Sequence, residues 1–163
     1  MGIDSFAPSR TEGSWSTDRG RVTAMTAERP VVLFACVHNS GRSVAAKVLT
    51  EHLAAGRVEV RSAGSDPGAE VNPGVAAVLA ERGLDTGRHE PALLTLDGVR
   101  EADVVVTTGC GEECPYVPGK HYEDWAVKDP QGEDLATVRE IVDDVDARVR
   151  DLLARIGVAD RPR

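Results

Sequence analysis

Cys36 and Arg42 stand six residues apart within VVLFACVHNSGRS, residues 31–43, and Ser43 follows at once. Cysteine is a nucleophile as its thiolate, and a thiolate needs peptide N–H groups, a helix N-terminus or a cation around it. Arg42 offers a planar fork of donors that matches two oxygens of a tetrahedral anion. Ser43 can donate its hydroxyl to the sulfur. Between them Val37, His38, Asn39, Ser40 and Gly41 supply a short run of backbone amides. This spacing can therefore set a nucleophilic sulfur in an oxyanion cradle: Cys36, Arg42 and Ser43 as reacting side chains, residues 37–42 as the binding loop. The competing reading is a buried core cysteine beside a surface arginine.

Such a cradle has to be held by flanking elements. The six apolar residues 31–36 read as a strand buried on both faces. From Arg42 the spacing of Val44, Ala45, Val48, Leu49 and Leu53 is helical. A strand, a tight loop and a helix start aim N–H groups and the helix dipole at one point. Gly41 permits close backbone approach, and Asn39 is a residue type that tolerates left-handed geometry.

The rest of the chain alternates strands with helices. A strand is expected over 58–60, ended by Ser62-Ala63-Gly64. Asn72-Pro73 opens a helix with Asn72 as N-cap, Val75, Val78 and Leu79 inward, and Gly83 as C-cap. A short helix is expected around 92–96, then strands at 103–107 and 121–125. The last helix, 134–156, repeats Leu135, Val138, Ile141, Val142, Val145, Val149, Leu152, Leu153 and Ile156 at intervals of three and four. The expected fold is α/β: a four-stranded parallel sheet in the order 2-1-3-4, with helices on both faces. Strands one and three then lie side by side where the winding reverses, the place where such sheets bind ligands. Cys36 would face the turn after strand three, Thr108-Gly109-Cys110.

Cys110 and Cys114 form a second cluster, CGEECP. They could be a zinc half-site completed by His121 or His38, or a pair of inert small hydrophobes. They could also be redox partners. Reducing an oxyanion such as arsenate takes two electrons, which one thiol cannot supply as a disulfide; a second thiol near Cys36 can. Cys114 could then take the disulfide over from Cys110. Residues four apart on a helix have Cβ atoms about 5–6 Å apart, whereas a disulfide needs about 3.5–4.5 Å. That bond requires unwinding, and residues 109–119 are expected to be more mobile than the sheet. Asp129, held before Pro130, could aim a carboxylic acid across the cleft and protonate a leaving oxygen. An ordinary Asp-Pro turn is the alternative.

Composition narrows the partners. Nineteen Lys and Arg stand against 27 Asp and Glu, a net charge of −8, which argues against nucleic acid. No apolar run is long enough to span a membrane, and the first 30 residues lack the apolar core of a secretory signal. A cytoplasmic location with reduced thiols is expected. Residues 1–29 read as a disordered extension, with Met25 a candidate natural start, 30–158 as one domain, and 159–163 as a short tail.

Together VVLFACVHNSGRS, VRSAG, VVVTTGCGEECP, GKHYEDWAVKDPQG and the terminal helix resemble the thioredoxin-coupled arsenate reductases of the low-molecular-weight tyrosine phosphatase superfamily. The resemblance covers 31–156. It implies Cys36 as nucleophile, Arg42 as oxyanion clamp, Ser43 as thiolate stabiliser, Asp129 as proton donor, and Cys110 and Cys114 as the disulfide relay. It implies further a monomer without bound cofactor or metal, active in arsenic detoxification, drawing electrons from thioredoxin or a glutaredoxin-type protein, or from mycothiol or glutathione. Many members carry Glu eleven residues after the nucleophile, at a potassium site; Lys47 stands there in this chain, so no potassium is expected. Two relatives of that reading are a tyrosine phosphatase, which needs only Cys36, Arg42 and Asp129, and an arsenate–mycothiol transferase. Tyrosine phosphatases grip the ring with aromatic walls, and here Gln131-Gly132 comes after the Asp-Pro.

Overall fold

A computed structural model describes residues 29–87, 89–109 and 116–158. The readings of 1–28 as an extension and of 159–163 as a tail fall outside them. Within the described residues eight elements succeed one another: β1 (Val31–Cys36), α1 (Arg42–Ala54), β2 (Glu59–Gly64), α2 (Pro73–Glu81), α3 (Leu96–Glu101), β3 (Val104–Thr107), β4 (His121–Asp124) and α4 (Leu135–Arg155). The four strands form a parallel sheet in the order β2-β1-β3-β4, as the alternation of elements predicts. The central strand β1 pairs Cys36 with Gly64 on one side and Ala35 with Thr107 on the other.

Period-two alternation along β1 divides the core. Val32 and Phe34 face the larger cluster, built with α1, α2 and α4. Leu33 and Ala35 face a smaller one, covered by Leu94, Val99 and Ala102. Helices thus lie on both faces, unequally. Phe34 is fully buried and meets Trp125 with ring centroids 5.7 Å apart, a contact worth about 0.5–1.5 kcal/mol beyond burial. Glu123, on edge strand β4, ties the sheet to the end of α4. Arg155 holds it bidentately, and His121 Nε2 and Trp125 Nε1 each bond it at 2.9 Å.

Three of these four helices close their own first turn with a side chain. Asn72 accepts from Gly74 and Val75, Thr95 from Gly98, and Asp134 from Thr137. Helix α1 has Gly41 at its N-cap and no side-chain cap. Its first-turn N–H groups therefore stay open at the end that meets the Cys36 loop.

Several details differ from the sequence reading. The expected helix around 92–96 is absent. Ala92 and Leu94 instead exchange backbone bonds with Gly64, at 2.8 Å each, and the helix starts at Leu96 behind its Thr95 cap. Pro91 favours extended chain before it, and Leu94 gains burial in the smaller cluster. Strand β2 runs on through Ser62, Ala63 and Gly64 rather than ending there. Leu135 is 43% exposed, because the first residue of α4 has not yet turned beneath the helix. Arg82 takes the C-cap of α2, and Gly83 comes next at φ +79°.

Candidate active site

Cys36 ends β1 and is 2% exposed. Its Sγ lies 2.9 Å from Ser43 Oγ and accepts the Asn39 amide at 3.2 Å. Asn39 has φ +51° and is completely buried. Its Nδ2 donates to Ser43 Oγ at 2.9 Å, and its Oδ1 accepts from the Ala92 amide at 2.9 Å. Because Nδ2 donates to Ser43 Oγ, the Ser43 hydroxyl hydrogen is free to point at the sulfur. Asparagine's tolerance of left-handed geometry was legible in the sequence; its four-way bonding was not.

The loop's carbonyls are all tied away from the centre. Cys36, Val37 and His38 accept from the amides of Ser65, Asp66 and Gly68 at 3.1, 2.7 and 2.9 Å. Ser40 accepts from Asn72 at 2.7 Å and Gly41 from Ala45 at 2.9 Å, while His89 Nε2 bonds the Asn39 carbonyl at 3.1 Å. In a trans peptide the carbonyl and the next N–H point in opposite directions. Six carbonyls held outward therefore turn the amides of residues 37–42 inward, and the Asn39 amide on the sulfur is one of them. This is a concave nest of N–H groups joined to the open start of α1, an arrangement that can hold an anion.

Two residues that sequence reasoning passed over maintain it. Gly64 backs directly onto the loop: a Cβ there would lie 2.5 Å from the Val37 carbonyl oxygen and 2.8 Å from the Asn39 nitrogen. His89 is a positioning group. Its acceptor is a carbonyl, so Nε2 carries the hydrogen. Burial pushes its pKa below the ordinary value, against the pull of the Asn39 carbonyl, and so favours the neutral ring. Nothing in residue type announces either contact, since both are made to backbone.

Across the cleft, Arg42 is mostly buried. Its Nη1 donates to the Val127 carbonyl at 3.5 Å, and its Nη2 lies 3.9 Å from Asp129 Oδ2. Both separations are long, so the fork keeps bonding capacity for a further partner. Asp129 is 55% exposed and accepts from the Gln131 amide at 3.0 Å. Pro130 packs into the notch left by Gly41, where a Cβ would sit 2.9 Å from Pro130 Cγ. Gly41's close approach is thus to the acid loop.

Cys36, His38, Ser40, Arg42, Asp129 and Gln131 line one cavity of about 340 Å³, with Glu70 and Asn72 on its wall. No Phe, Tyr or Trp stands among its described lining residues. The structure brings together Cys36, Ser43, Asn39, Arg42 and Asp129. Cys110 and Cys114 lie outside the described residues, and so does most of the segment expected to be mobile. Lys47 pairs with Glu51 at 2.9 Å on the surface of α1, an i,i+4 pair worth about 0.3–0.5 kcal/mol. No cluster of three metal-ligating side chains occurs among the described residues.

A doubly wound parallel sheet, a Cys-x5-Arg-Ser nest at its winding reversal and an Asp-Pro loop opposite define a cysteine-loop phosphatase fold. Residues 31–161 match the low molecular weight phosphotyrosine protein phosphatase family, and the chain belongs to it. Among solved structures, the thioredoxin-dependent arsenate reductase of Corynebacterium glutamicum is 46% identical. It superposes with a TM-score of 0.70 over 83% of this chain and 66% of its own. An arsenate reductase from Archaeoglobus fulgidus is 32% identical, with a TM-score of 0.65, over 76% of this chain and 98% of its own. The glutaredoxin arsenate reductase of Synechocystis is 33% identical over 129 residues, 77% of this chain and 98% of the relative.

Proposed function

We propose that this protein is an arsenate reductase working through Cys36, Cys110 and Cys114. The observation that carries the reading is the setting of Cys36: a buried sulfur bonded by a loop amide and by Ser43, within a nest whose six carbonyls are all tied outward. Relatives named arsenate reductases, and a pair of further thiols after β3, favour reduction over simple ester hydrolysis.

Arsenate enters the nest, with its oxygens on the amides of residues 37–42 and on the Arg42 fork. The Cys36 thiolate attacks arsenic, and an oxygen leaves as water after taking a proton from Asp129. A Cys36–S–As(V) adduct results. Cys110, as thiolate, attacks Cys36 Sγ; the S–As bond breaks and its electron pair stays on arsenic, which departs as arsenite, As(III). Two thiols have lost two electrons to the Cys36–Cys110 disulfide. Cys114 attacks Cys110, releases Cys36 and forms Cys110–Cys114, which a dithiol protein of the thioredoxin or glutaredoxin type reduces by exchange. Mycothiol or glutathione attacking the adduct directly is the alternative electron route. Such a cycle belongs in a reducing compartment, the cytoplasm.

The test is arsenate-dependent NADPH consumption with thioredoxin and its reductase. Cys114→Ser should stop thioredoxin turnover and still release one arsenite per chain. Cys110→Ser should release none. Undiminished thioredoxin turnover in Cys114→Ser would refute the relay. Rapid hydrolysis of aryl phosphate with no arsenate-dependent oxidation would instead make the protein a phosphatase.

A further inference from the structure

We infer that Gly109 is the positioning residue for Arg42: its bare backbone is the seat on which the guanidinium rests. The inference builds on the reading of Arg42 as the oxyanion clamp. Gly109 has φ +120°, a conformation that side-chain-bearing residues rarely adopt. A Cβ built on it would fall 2.2 Å from Arg42 Nη1, 2.8 Å from Cζ and 3.2 Å from Nη2. The whole plane of the fork lies over this one position.

The polar contacts of Arg42 do not explain where it sits. Val127 and Asp129 are reached only at 3.5 and 3.9 Å. A fork without a short bond is located by what it packs against. Gly109 is well suited to that task because its predecessor is pinned. Thr108 is completely buried, and both its amide and its Oγ1 donate to the Ala35 carbonyl, at 2.7 and 2.9 Å. Ala35 in turn precedes Cys36. A rigid backbone path therefore runs from the nucleophile's own strand through Thr108 to Gly109 and sets the guanidinium against the nest. A methyl group added at 109 meets the guanidinium first, and with Thr108 pinned behind it the flexible side chain is what yields.

This places a residue beside the relay segment in charge of anion affinity. Gly109 acts on the anion through Arg42.

Affinity for inorganic phosphate, measured by calorimetry on the full chain with its thiols reduced, tests the idea without requiring any redox step. Gly109→Ala should weaken phosphate binding at least about tenfold, as expected when a charged hydrogen-bond donor is moved off its acceptor. In an Arg42→Ala background the same change should have no further effect, and it should lower the melting temperature less, because the methyl then has room. An equal weakening by Gly109→Ala in both backgrounds would overturn the inference. So would unchanged binding in Gly109→Ala. If the single variant does not fold, folding of the double variant supports the seat and its failure refutes it. Arg42→Ala that binds phosphate as well as the wild type would refute the clamp reading itself, a separate result.

Discussion

The loop that carries Cys36 and the loop that carries Asp129 face one cavity and are built in opposite ways. In the first, Asn39 is wholly buried and uses its amide, its carbonyl and both ends of its side chain. Every carbonyl from Cys36 to Gly41 has a donor. In the second, Asp129 leaves over half its side chain in solvent and has one short bond, from the Gln131 amide. The contrast stems from the chemistry proposed for each. A thiolate and a developing oxyanion gain most from donors fixed in advance, because nothing then reorganises at the moment of reaction. A proton donor has to be recharged from water, so it belongs at the rim. The two loops meet where Pro130 fills the Gly41 notch and where Arg42 reaches toward Val127 and Asp129.

Substitutions should separate the two designs. Cys36→Ser removes the nucleophile, and arsenate-dependent NADPH oxidation is expected to fall by more than about a thousandfold with the melting curve nearly unchanged. Asp129→Asn should lower turnover by about a hundredfold, near the low end for loss of a general acid. It should leave the melting temperature unmoved, because the exposed loop keeps its Gln131 bond. Asn39→Ala should do the reverse in kind. It strips bonds from the buried loop and strains a positive φ, at a cost of about 2–4 kcal/mol in denaturant unfolding. Equal stability losses at 39 and 129 would erase the distinction.

A carboxylate outside both loops sharpens it. Burial works to raise the pKa of Glu123, but bonds from His121, Arg155 and Trp125, with the Arg155 charge, bring it well below its ordinary 4.5. A carboxylate with a depressed folded pKa stabilises the fold above the unfolded value and loses that contribution as pH falls through the folded one. Unfolding free energy should therefore drop on acidification below about pH 4.5. Glu123→Gln should flatten that drop and cost about 1–2 kcal/mol at neutral pH. An unaltered acid limb in Glu123→Gln would remove Glu123 from the balance.

How much of this was legible depends on what kind of bond does the holding. β1, the nest and α1 could be read from the apolar run 31–36, the Cys-x5-Arg spacing and the helical period after Arg42, because side-chain type carries that information. α4 was readable for the same reason, apart from Leu135 at its first turn. The segment 65–72, whose amides hold four carbonyls of the Cys36 loop, was not readable. It acts through backbone amides, which every residue but proline has, so no letter in the sequence marks it. Gly64, Gly109 and His89 escaped for a related reason: two work by lacking a side chain, the third by bonding a carbonyl. The helix expected around 92–96 was misplaced because the free backbone groups of Gly64, at the end of β2, recruit Ala92 and Leu94 into extended chain.

One consequence belongs to α1, the helix with no side-chain cap. Its opening turn is left for a guest to finish, so the fold's resistance to melting is tied to what is dissolved around it. A bound anion at a hundred times its dissociation constant would add about 2.7 kcal/mol. The cargo is then a structural component for as long as it stays. Product that binds more weakly would withdraw part of that contribution, so resistance to melting would follow which species is bound.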